Sequence, residues 1–142
     1  MQKMYEKIKS MKLVIIIAVI ILGFGGLTIV ANNNQPKNTA PELSIQTIKN
    51  DVTEGGQLID VRTPEEFAIS HIDGSINLSS VDILAGSVPS APKDKPIYLY
   101  CRSGNRSDQS ATILRTAGYT NIIDLGAMTY VRSLGGSLII KE

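Results

Sequence analysis

Cys101 is the only cysteine in the chain, and it stands in an unusual neighbourhood: Arg102, Ser103, Gly104, Asn105, Arg106 and Ser107 follow it directly. The thiolate is the reactive form of cysteine, and nearby cations, backbone N–H groups and helix N-termini all favour it. Gly104 lets the backbone curl in towards the sulfur. Two guanidiniums beside one thiolate make a site for a small oxyanion such as thiosulfate, sulfate, phosphate or arsenate. Ser107 can cap a following helix or donate to a bound anion. A single cysteine at a strand end is more often inert packing. The two arginines, the glycine and the polar loop argue against that here.

These residues need a scaffold to hold them. Pro96-Ile97-Tyr98-Leu99-Tyr100 is apolar and aromatic and predicts a buried strand ending at the cysteine. Asp108 to Ala117 places Ala111, Ile113, Leu114 and Ala117 at helical spacing, with Gly118 as a C-cap. Strand, loop and helix in that order are where an open α/β sheet presents its chemistry. Upstream, Ser44 to Gly56 reads as a helix with Ile45, Ile48 and Val52 on one face. Gln57 to Val61 reads as a strand ending on Asp60. Thr63, Pro64 and Glu66 form a helix-start signal of the capping-box type, and Phe67 is expected in the core. Ser70 to Ser75 reads as a turn, 75–78 as a short strand, and Val81, Ile83 and Leu84 as a short helix. A surface loop over 87–96 follows. Beyond the cysteine loop and its helix come a strand over 121–125, a short helix over 128–134 and a last strand over 137–140. This alternation predicts an α/β domain with a mainly parallel sheet covered on both faces.

With 142 residues, there is room for one ordinary domain plus a tail. Residues 13–31 carry no charge, and their roughly 28 Å of helix would cross a bilayer core. We read them as an uncleaved transmembrane anchor. A cleaved signal peptide is the rival, although the run is long for one and Ile29 is a poor residue three before a cut after Ala31. Lys3, Lys7, Lys9 and Lys12 make 1–12 a basic cytoplasmic tail, which places the rest outside the cytoplasm at a cell membrane, or secreted if 1–31 is removed. The polar segment 32–41, with Pro36 and Pro41, is a linker. From residue 32 onward ten Lys/Arg face twelve Asp/Glu, so nothing points to nucleic acid. One cysteine allows no internal disulfide, and one cysteine with one histidine makes a metal site improbable. No cofactor is expected. The lone histidine, His71, reads as structural rather than as a general base.

Residues 58–67 (LIDVRTPEEF), then His71-Ile72 with 74–78 (GSINL), then Tyr100 to Ser107 (YCRSGNRS), and lastly Ala117-Gly118-Tyr119 with Leu125-Gly126, resemble in order the signatures of the single-domain rhodanese sulfurtransferases. The resemblance covers nearly all of 42–142 and implies a three-layer rhodanese-like α/β domain behind the anchor. It implies an enzyme in which Cys101 takes a sulfane sulfur from a donor such as thiosulfate. The sulfur is then carried as a persulfide and passed to a nucleophilic acceptor such as cyanide or a thiol. By that analogy the loop amides from Arg102 to Arg106 cradle the persulfide. Arg106, and to a lesser degree Arg102, then orients the anionic donor. Asp60 and Arg62 are implied to be supporting, with Arg62 pairing with Glu66 or another acid; direct contact of Asp60 with the loop is the minor alternative.

Four residues separate Cys101 from Arg106. The related cell-cycle phosphatases have five, a wider cradle for phosphate, so the shorter loop resembles the sulfurtransferases. Two alternatives stand beside that reading: a non-catalytic persulfide or redox-binding module, and a small-anion phosphatase or arsenate reductase. In one respect the chain departs from the family pattern. Ala127 and Val131 stand where many members have a second glycine and a tryptophan, at the expected pocket rim.

Overall fold

The computed structural model describes residues 42–141. The expected basic tail, apolar span and linker over 1–41 lie outside the described residues. Among the described residues no helix is long and apolar enough to cross a membrane.

Four parallel strands form the central sheet: β1 (Gln57–Asp60), β3 (Ile76–Asn77), β4 (Ile97–Cys101) and β5 (Ile122–Ala127), in the order β3-β1-β4-β5. All five residues of β4 are buried, as expected of a central strand with both faces covered. Its side chains alternate between two cores. Ile97, Leu99 and Cys101 join Ile83 of α3 (Ser80–Leu84) and Ala111 and Leu114 of α4 (Asn105–Thr116). Tyr98 and Tyr100 face the other way, towards Ile48 of α1 (Ile45–Thr53) and Val131 of α5 (Met128–Ser133). Helix layer, sheet and helix layer follow from that alternation.

Local chemistry starts three of the helices. The Ser44 hydroxyl accepts from the Thr47 amide at the head of α1. Thr63 and Glu66 form a complete capping box at the head of α2 (Pro64–Ile69), with Pro64 in the first turn. Ser79 caps α3 by accepting from the Asp82 amide at 3.1 Å.

Four expectations are corrected. The turn expected at Ser70 begins with a strand, β2 (Ser70–Ile72), which pairs antiparallel with β6 (Leu138–Ile140). Three residues carry too little periodicity to announce a strand, and the partner lies far along the chain. Phe67 is half-buried and stacks on His71, with ring centroids 4.0 Å apart, instead of entering a core. Helix α4 starts at Asn105, inside the expected loop and three residues early. Val131 is fully buried in the second core and not on a pocket rim.

Candidate active site

Cys101 ends β4 with its side chain in the first core, and none of the residue is exposed. The chain then turns through Arg102 and Ser103, both exposed, to Gly104. Gly104 has φ 101° and occupies the N-cap position of α4, without a side-chain cap. A left-handed residue at this point folds the first amides of α4 back over the sulfur. The Gly104 amide donates to Cys101 Sγ at 3.1 Å.

Electrostatics at the sulfur is a contest between burial and donors. Burial pushes the Cys101 thiol up. The backbone N–H groups of Ser107, Ser103 and Gly104, aided by the Ser107 hydroxyl, overcome it and leave the thiol below its ordinary range. Of the two roles the sequence leaves open for Ser107, capping the helix and donating to a bound anion, the first is not filled. Because α4 starts early, Ser107 lies inside the first turn, fully buried, and its hydroxyl donates to the Gly104 carbonyl at 2.9 Å. Asn105 heads the helix, exposed, and bonds to the Gln109 side chain.

Strand β5 forms the wall beside the loop. Its register against β4 shifts after Leu99, so Tyr100 faces Gly126 and Cys101 faces Ala127. The Asp124 side chain accepts from the Gly126 amide at 2.8 Å and holds the bulge. At Gly104, a methyl group would come within 3.5 Å of the Gly126 Cα. The two backbones thus pass at contact distance, and Ala127 sits half-buried next to the cysteine.

Arg106 is pinned. Its Nη1 and Nη2 donate to Glu66 Oε2 and Oε1 at 2.6 and 3.1 Å, a bidentate pair with both side chains about two-thirds buried. The Arg106 hydrogen bonds, against a smaller opposing effect of burial, hold the Glu66 carboxyl down to about 2. Glu66 Oε2 also accepts from the Thr63 amide, so one carboxylate closes the capping box and anchors the loop arginine. The second role is invisible in the sequence, where Glu66 lies 40 positions from Arg106 and has a sufficient local explanation.

Arg62 pairs with Asp60 and not with Glu66. Its Nε lies 3.0 Å from both Asp60 oxygens and its Nη2 lies 2.6 Å from Oδ2. The pair is buried, and the Asp60 carboxylate also accepts from the Arg62 amide. Asn77 donates to the carbonyls of both residues, and Arg62 donates to the Ser70 carbonyl. Asp60 and Arg62 thus tie the ends of β1, β2 and β3 together beside the loop, with the Asp60 carboxylate taken by Arg62. His71 Nδ1 bonds the Phe67 carbonyl at 3.0 Å, a local bond within its own turn of chain. Among the described residues no cluster of three or more His, Cys, Asp or Glu side chains could hold a metal ion.

This cysteine cradle at a strand–helix junction has known counterparts: residues 44–128 match the family described as the Rhodanese-like domain. The chain belongs to that family. Among its relatives, the thiosulfate sulfurtransferase PspE of Escherichia coli is 34% identical over 73 residues, covering 49% of this chain and 68% of PspE. The adenylyltransferase and sulfurtransferase uba4 of Ogataea parapolymorpha is 36% identical over 73 residues, 51% of this chain but only 19% of that much longer protein. A solved structure described as a rhodanese with anions, from Escherichia coli, superposes with a TM-score of 0.51 at 28% identity, covering 61% of this chain and 99% of that one. The rhodanese-like fold and kinship with sulfurtransferases are thereby established for this chain.

Proposed function

We propose that this rhodanese-like domain is a sulfurtransferase that takes a sulfane sulfur from a small anionic donor such as thiosulfate. The Cys101 thiolate attacks the outer sulfur of the donor, forms an S–S bond and releases sulfite. A nucleophilic acceptor then attacks the outer sulfur of the persulfide. Cyanide leaves as thiocyanate, a thiol as its persulfide, and the thiolate is regenerated. Both steps are substitutions at sulfur with no net redox demand on the protein.

The observation that carries this reading is the cradle of N–H groups around the sulfur, with Gly104 donating at 3.1 Å. It favours negative charge on the thiolate and equally on a persulfide one atom further out. The four-residue spacing to Arg106 favours sulfur over phosphate chemistry. We place the domain outside the cytoplasm, anchored through 13–31, on the hydropathy and charge of that segment.

Mass spectrometry of the full-length chain after incubation with thiosulfate tests the chemistry. A gain of one sulfur atom on Cys101, discharged by cyanide with thiocyanate formed, is expected. Stable sulfur loading without discharge to any acceptor would favour the binding-module reading. Cys101-dependent hydrolysis of an aryl phosphate would favour a phosphatase. Protease added to intact cells should remove the domain if the topology is right.

A further inference from the structure

We propose that Arg102, not Arg106, captures the anionic donor, and that Glu66 is the positioning residue that withholds Arg106 from it. The proposal takes the anion's identity from the sulfurtransferase reading, while the division between the two arginines stands on geometry alone.

The guanidinium of Arg106 meets its carboxylate partner edge to edge, with one N–H of each terminal nitrogen spent on Glu66. Bidentate pairing of this kind is the strong form of the arginine–carboxylate contact, and partial burial shields it from solvent. Glu66 cannot travel with Arg106 towards a ligand, because the Thr63 amide and the α2 N-terminus hold it. An anion brought to the remaining N–H groups of Arg106 therefore meets the Glu66 negative charge as well. Arg62, at the end of the neighbouring strand, is likewise matched by Asp60. Arg102 differs. It directly follows Cys101, is exposed, and makes no ion pair among the described residues. Its charge is open to solvent at the residue next to the cysteine. Arg106 serves the sulfur from a fixed position: its pairing with Glu66 favours the guanidinium charge most, and the charge of Cys101 and a side-chain hydrogen bond to it add to that.

Sulfate is an unreactive dianion, so its protection of Cys101 against iodoacetamide reads anion capture without any sulfur transfer. Half-protecting sulfate concentrations, at ionic strength held constant with chloride, are to be compared in wild type, Arg102→Gln, Arg106→Lys and Glu66→Gln, each checked for its thermal midpoint. Arg102→Gln should need at least tenfold more sulfate, and Arg106→Lys little more than wild type. Glu66→Gln frees the Arg106 charge, so it should need several-fold less sulfate and should move the pH midpoint of Cys101 alkylation downward, which a merely structural role would not do. Unchanged protection in Arg102→Gln, or an equal or larger loss in Arg106→Lys, overturns the proposal. Should wild type gain no sulfur from thiosulfate while Arg102→Gln loses sulfate protection, the sulfurtransferase reading fails and the anion assignment stands.

Discussion

The amide of Gly104 points at the sulfur of Cys101 across 3.1 Å, from a residue held at φ 101°. That geometry makes the glycine part of the sulfur's electrostatics as well as of the turn. Gly104→Ala meets Gly126 only at ordinary contact distance, so its cost is in the backbone. A left-handed alanine costs about 1–2 kcal/mol. Denaturant unfolding should show that loss, and relaxation of the turn should withdraw the amide and raise the pH at which Cys101 is alkylated.

The Ser107 amide and hydroxyl both help to hold the Cys101 thiol down, and the one hydroxyl proton, given to the Gly104 carbonyl here, is free to turn to the sulfur. Ser107→Ala keeps the amide and removes the hydroxyl. The thiol is held below its ordinary range in the wild type, so iodoacetamide should react with it at a lower pH than with a free thiol. In Ser107→Ala that midpoint should move up and the rate at neutral pH should fall. An unchanged midpoint would mean that the backbone amides alone set the thiolate.

Glu66 gives the fold an acid sensitivity. Its carboxyl titrates at about 2 when folded, against an ordinary 4.5. A group depressed on folding contributes stability above its unfolded value, and that contribution is lost as pH falls through the window from about 4.5 to about 2. With the pair partly exposed, roughly 1–3 kcal/mol is expected from it. Unfolding measured across that acid window should depend more steeply on pH in wild type than in Glu66→Gln, which has no carboxyl to protonate.

Ser110 sits 1% exposed in α4, and its hydroxyl is the buried side-chain group left without a hydrogen-bond partner among the described residues. Desolvating a hydroxyl without a partner costs about 1–3 kcal/mol, and alanine is the better helix former. Ser110→Ala should therefore raise the thermal midpoint. Tyr100 is the contrast: equally buried, its hydroxyl accepts from the Ile72 amide at 3.0 Å and bonds Ser75 at 2.9 Å. Polar groups of similar burial are worth opposite signs according to whether they are partnered.

What can be read locally is what local physics decides. The run Ile97 to Tyr100 and the Thr63–Glu66 capping box each involve neighbours within a few residues, and each stands in the structure as the sequence implies. So does the parallel sheet, because strands separated by helices leave few other ways to bury both faces. The relations that decide how the site works lie at long range. Arg106 found Glu66 across 40 positions, Ser70 of β2 found Ile140 of β6 near the far end of the domain, and the β5 bulge brought Gly126 against Gly104. Arg62 chose Asp60, two residues away, over the Glu66 that sequence distance equally allowed, because the strand end buries both and leaves Glu66 to the loop. A linear pattern names the charges present. Only the packed chain determines which of them neutralise one another.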